Sequence, residues 1–117
     1  MKIANFIYSL LIIINLLLNN INSKATAKII DLLQRMIIQK YIGGKHTPEK
    51  NILKNKIAYL TRKERKEFEL IYTQLINEEI IIRKKKMTKK STDWHISLNP
   101  KKTKIVKEII DNVWSIL

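Results

Sequence analysis

Arg62, Lys63, Arg65 and Lys66 crowd into five residues that open a predicted helix, and Arg83, Lys84, Lys85, Lys86, Lys89 and Lys90 crowd into eight that join two predicted strands. Arginine can pair bidentately with guanine in the major groove, and lysine can reach base edges or phosphate. A dense basic loop suits backbone phosphates or an adjacent minor groove, contacts that position a protein without reading sequence. Lys45, Lys50 and Lys54 make a third group near a helix start, where free N–H groups can also take a phosphate. On a helical wheel Arg62, Arg65, Lys66, Glu69 and Thr73 point away from the apolar stripe of their helix, which makes them the groove-facing set. A solvated helix face and a solubilising loop have the same composition, but like charges this close repel each other unless a counter-charge arrives.

Other chemistry is sparsely supplied. There is no cysteine, which excludes thiolate metal sites, disulfides and cysteine nucleophiles. The sequence holds no glycine-rich phosphate loop and no His-Glu pair at helical metal spacing, and Asp31, Glu78, Glu79, Asp93 and Asp111 are scattered. No enzyme activity, cofactor or metal is therefore expected. His46 reads as fixing a turn, and His95 as facing solvent or a phosphate from the exposed side of a strand. Trp94 shares the period-two face of Ile96 and Leu98 and reads as core. The whole chain carries 23 Lys plus Arg against 10 Asp plus Glu, a formal +13, which calls for a polyanionic partner, double-stranded DNA or an anionic membrane surface. Because 45% of its 117 residues are hydrophobic, a folded core rather than a basic tail should carry that charge.

The elements that must position these groups follow from apolar spacing and capping residues. Thr26 is expected to cap a helix with Ile29, Ile30, Leu33, Met36, Ile37 and Tyr41 on one side, stopped by Gly43-Gly44. Thr47-Pro48-Glu49 opens a second, short helix, with threonine as cap and proline at its first position. Thr61 and Glu64 form a capping box for a third helix whose buried stripe is Phe68, Ile71, Tyr72, Leu75 and Ile76. Ile80 to Arg83 and Trp94 to Leu98 are the strands of a hairpin around the basic loop. Asn99-Pro100 starts a last helix whose apolar side, Ile105, Val106, Ile109, Ile110, Val113, Ile116 and Leu117, is wide enough to suggest a two-fold dimer through residues 105–117 or packing on the first body helix.

Between Ile3 and Ser23 no residue is charged. Lys2, the apolar run and Ala25-Thr26-Ala27 match a secretory signal. A membrane anchor spanning residues 3–22 is the second reading, and charge asymmetry would then keep the basic body in the cytoplasm. The third is a packing helix, since Asn5, Ser9, Asn15, Asn19, Asn20 and Asn22 share one arc of the wheel. The chain thus divides into an apolar segment 1–23, a body 24–99 and a C-terminal helix 100–117.

Three helices followed by a two-stranded hairpin is the element order of a winged helix-turn-helix. The strings Gly43-Gly44-Lys45-His46-Thr47-Pro48 and Trp94-His95-Ile96-Ser97-Leu98-Asn99-Pro100 resemble the G-G-K-H-T-P and W-H-I-S-L-N-P signatures of a family of small, largely uncharacterised archaeal winged-helix proteins. The similarity covers about residues 29 to 105. It implies a mainly α fold with a small β-hairpin (α+β), extended here by the C-terminal helix and the apolar segment, and it implies DNA binding and transcriptional regulation without naming a target. Asn77-Glu78-Glu79 stands where winged helices place a glycine, so either Asn77 adopts the left-handed conformation or the turn differs. A membrane-anchored or exported basic protein, and a winged-helix module for RNA or protein contact, are the alternatives.

Overall fold

The uncharged N-terminal stretch forms a helix, α1 (Lys2–Asn19), that buries Ile13 and Leu17 completely against the rest of the chain. The computed structural model describes residues 2–87 and 92–115. In the fold α1 lies on α5 (Thr103–Trp114) and touches α4 (Arg62–Asn77). Among the described residues no helix is long and apolar enough to cross a membrane. The wheel placed Ser9 on the outer side, but Ser9 is buried, and the outer side carries Ile7, Tyr8, Leu11 and Leu18.

Ser23 begins the next helix, α2 (Lys24–Ile38), by accepting a hydrogen bond from the Ala25 N–H at 3.1 Å. The expected cap, Thr26, is instead fully buried and donates its hydroxyl to the Asn20 carbonyl at 2.7 Å, so it ties α2 to the end of α1. Gly43-Gly44 does not stop α2 either. The helix ends five residues earlier than Gly43, with the Tyr41 N–H on the Met36 carbonyl and the Lys40 N–H on the Ile37 carbonyl, and Lys40 takes the left-handed conformation at φ 58°. The exit of α4 repeats this turn: Ile80 N–H bonds to Leu75 O, Glu79 N–H to Ile76 O, and Glu79 rather than Asn77 sits at φ 58°.

Thr47-Pro48, expected to cap a helix, is a two-residue edge strand, β1 (Thr47–Pro48). Proline can occupy such an edge because no ladder bond needs its missing N–H. The helix that follows, α3 (Glu49–Ile57), therefore starts at Glu49 with no side-chain cap bond. A tight turn leads to α4, and then come β2 (Ile81–Met87) and β3 (Thr92–Leu98), with the antiparallel sheet ordered β1-β3-β2. The hairpin is longer than expected: Lys84, Lys85 and Lys86 are strand residues, not loop residues. Lys89 and Lys90 lie outside the described residues. Asn99 caps a 3-10 turn, Pro100–Lys102, by accepting from the Lys101 N–H at 3.0 Å, and α5 continues from it.

Among the described residues the architecture is thus mainly helical, with a small three-stranded antiparallel sheet. One core joins all of it, from Ile13 and Leu17 through Ile29, Leu33, Phe68 and Leu75 to Ile96, Leu98, Ile105 and Val113. On the apolar side of α5, expected to serve a dimer or to pack on the first body helix, Ile105, Val106, Ile109 and Val113 are buried where α1 and α2 lie against it, and Ile110 is partly buried. Ile116 and Leu117 lie outside the described residues.

Leu17→Ala should cost about 2–5 kcal/mol of unfolding free energy in urea, the usual effect of truncating a fully buried leucine. A loss near zero would mean that α1 is not part of the cooperative core. Glu79→Gly should raise stability by about 0.5–1 kcal/mol, because glycine relieves the left-handed strain at a smaller entropic cost.

Candidate nucleic-acid interface

Two hydrogen bonds fix the start of α4: the Thr61 hydroxyl accepts from the Glu64 N–H at 3.2 Å, and the Glu64 carboxylate accepts from the Thr61 N–H at 2.9 Å. The bond from the Thr61 N–H, above all, holds the Glu64 carboxyl below its ordinary range. Leu60, buried, pins the α3–α4 turn, while Tyr59 beside it is 91% exposed. On the inner side of α4, Phe68 stacks on Tyr72 with centroids 6.0 Å apart and an interplanar angle of 18°. Of the set that the spacing turns outward, Arg62, Lys66, Glu69 and Thr73 are exposed, with Lys63 beside them and Glu69 and Thr73 on the flank toward α3. Leu70 stands among them at 58% exposure and was not singled out from sequence. An exposed apolar side chain in a basic row can meet a thymine methyl group. Arg65 is exposed as well, and its guanidinium reaches back to the Ile57 carbonyl of α3 at 3.5 Å.

What holds the hairpin against the two helices is a carboxylate. Glu49, in the first turn of α3, accepts from the Tyr72 hydroxyl at 2.6 Å and from the Arg83 Nε and Nη2 at 2.6 and 2.9 Å. Burial pushes the Glu49 carboxyl up, but the bonds from Arg83 and Tyr72 and the guanidinium charge outweigh it, leaving it below the ordinary value. The bond to Glu49 raises Arg83 further. The Tyr72 phenol is pushed up, by burial first and by the neighbouring carboxylate second. These three residues border a groove of about 500 Å³ between α3 and α4, into which Glu69 and Thr73 also face.

Arg83 lies 3.9 Å from the ring centroid of Trp94, and Lys85 Nζ lies 5.8 Å from it. Trp94 is therefore not core, as its alternation with Ile96 suggested, but 40% exposed beneath two cations. The alternation fails because the apolar layer under β3 ends at Ile96, and the face beyond it is shared with Arg83 and Lys85. Arg83 is half-buried, whereas Lys84, Lys85 and Lys86 stand exposed along β2.

Lys45, Lys50 and Lys54 do not converge on one helix end. Lys45 lies before β1 with its Nζ 5.7 Å from the Tyr41 ring, Lys50 is in the first turn of α3 and Lys54 in its last. Lys56, which sequence reasoning passed over, is buried and paired with Asp31 of α2. His46 meets His95 rather than fixing its turn, the two Nδ1 atoms lying 2.8 Å apart. No group of three His, Cys, Asp or Glu able to hold a metal occurs among the described residues.

No family model matches the chain, and no curated protein or solved structure matches it.

Glu49→Gln should destabilise the fold by about 1.5–3 kcal/mol, since it removes a charged acceptor from both Arg83 and Tyr72. A group whose pKa is depressed by folding stabilises above its unfolded value and loses that contribution as pH falls through the folded one. Urea midpoints should therefore drop more steeply below about pH 4.5 in the native chain than in the variant. Parallel profiles would remove Glu49 from the account.

Proposed function

We propose that this chain is a winged helix-turn-helix DNA-binding protein, a transcriptional regulator in type, with α4 in the major groove and the β2–β3 hairpin on backbone phosphates. The observation that carries the reading is the outward side of α4, where Arg62, Lys63 and Lys66 are exposed in the turns next to the capping box and Leu70 and Thr73 are exposed farther along the helix. Arg62 and Lys66 supply base-edge or phosphate donors, and Leu70 and Thr73 supply apolar contact and a hydroxyl. The Glu49–Arg83 link supports the second half of the reading, because it seats the base of the lysine-rich strand beside the α3–α4 pair. Lys84, Lys85 and Lys86 then extend from that base as phosphate contacts.

The test is binding of the full chain to duplex DNA across salt, since removing residues 1–23 would uncover the core that Ile13 and Leu17 complete. The logarithm of affinity should fall linearly with the logarithm of salt, with a slope reflecting about five to eight phosphate contacts. Absence of binding at low salt would overturn the reading. Arg62→Ala should relax a sequence preference at a cost of about 1–3 kcal/mol, whereas replacing Lys85 and Lys86 together should weaken all duplexes alike and lower the slope by about two. Equal losses on every sequence from both variants would mean that α4 reads no base.

A further inference from the structure

The two signature strings are neighbours in space. Thr47 pairs with Ile96 and Pro48 with His95, the Gly43 N–H bonds to the Leu98 carbonyl at 2.9 Å, and Gly43 takes φ 61° with Pro100 Cγ 3.0 Å from where a Cβ would stand. This pairing sets His46 and His95 edge to face, ring centroids 4.7 Å apart at 85°, with Nδ1 against Nδ1 at 2.8 Å. At that distance one ring donates its Nδ1–H and the other accepts. A further proton on the accepting nitrogen would set N–H against N–H, so the contact must open when both rings are charged.

The register of the hairpin places Lys84 opposite His95 and Lys86 opposite Asp93, all on the sheet face turned away from that of Arg83 and Trp94. With Gly43, Gly44, Ile82 and Ser97, the two histidines and Lys84, Lys85 and Lys86 line a cleft of about 460 Å³, Lys84 and Lys86 being the lysines that share the histidine face. Burial, then the neighbouring His95, Lys86 and Lys84, press the His46 imidazole below its ordinary value. Asp93 from β3 is the opposing charge on this face, and Lys45 precedes His46 in the chain. Such surroundings disfavour a metal cation, for which two imidazoles without a third ligand make a poor site among flanking ammonium groups. They favour an anion, for which Lys84 and Lys86 provide charge and the imidazoles provide N–H donors once protonated.

We infer that the cleft between the 43–46 loop and the outer face of the hairpin binds a tetrahedral oxyanion, a phosphate group or its sulfate equivalent, with uptake of a proton by the His46–His95 pair. The phosphate can come from a nucleic-acid backbone or from free phosphate in solution. The site lies on the sheet face away from the Arg83–Trp94 side and does not rest on the placement of α4 in DNA. Its sign is fixed by linkage: an anion raises the imidazole pKa, so affinity is greatest below the free value and falls as pH rises through the bound value. Imidazole is the side chain whose ordinary protonation range falls in that window.

Long-range proton–nitrogen NMR of the imidazoles in the full chain tests this, with sodium sulfate as the probe because its charge is constant across the window. Both rings should shift saturably, and affinity should increase about tenfold for each unit by which the anion raises the imidazole pKa. His46→Gln with His95→Gln should leave weaker sulfate binding through Lys84 and Lys86 with a flat pH profile. Inorganic phosphate and a short duplex distinguish the source: shifts with free anions alone identify free phosphate, and shifts with the duplex alone identify the phosphodiester backbone. Imidazoles unmoved by sulfate, phosphate and duplex would overturn the inference, as would an unchanged pH profile in the double variant. Loss of duplex binding with sulfate shifts retained would count against the DNA reading and leave this site standing.

Discussion

Glu49 accepts hydrogen bonds from Tyr72 and from two nitrogens of Arg83, so one carboxylate on α3 is bonded to α4 and to β2 at once. The angle between the two helices and the seat of the hairpin against them are set by the same group. Its side chain is 15% exposed, and Arg83 at 32% is only partly wet, so neither charge regains full hydration if the other is lost. Breaking such a pair costs more than forming it stabilises, because what remains is a partly buried charge without a partner. The guanidinium also lies over the Trp94 ring at 3.9 Å from its centroid, a contact that adds about 0.5–2 kcal/mol depending on its desolvation.

From this hub the surplus of +13 acquires a direction. Arg83 is consumed by Glu49, Lys56 by Asp31, and Arg65 turns to the end of α3, so these cations hold elements together. Arg62, Lys63 and Lys66 on α4 remain outward, and Lys84 and Lys86 stand on the far face of the hairpin beside the histidine pair. The strand alternation that sends successive side chains to opposite faces is what divides one run of lysines between two surfaces.

Local chemistry was legible in the sequence and distant pairing was not. Thr61 and Glu64 are three residues apart and satisfy each other's backbone, so the start of α4 could be read directly, as could its Phe68, Ile71, Leu75 stripe and the Asn99 cap. Ser23 and Thr26 are both hydroxyl residues at a helix start, and the choice between them falls to Asn20, whose carbonyl takes the Thr26 hydroxyl, and to Glu67, which takes the Ser23 hydroxyl. Thr47-Pro48 has the signature of a helix start, yet β3 recruits it as an edge strand through residues almost fifty positions away. The side chain of Trp94 follows the strand period correctly, but periodicity does not say where the apolar layer beneath the strand stops. His46 and His95 each sat within a signature string, and nothing local to either string indicated that the strings face each other.

The central claim is that the outward side of α4 and the hairpin, whose lysines stand on both of its faces, bind one duplex together. Backbone amide NMR of the full chain titrated with duplex DNA tests it most directly. The account predicts shifts concentrated in residues 62–70 and 83–87, with the outer side of α1 unmoved. Shifts confined to α1 and α5, or their absence from α4, would contradict it.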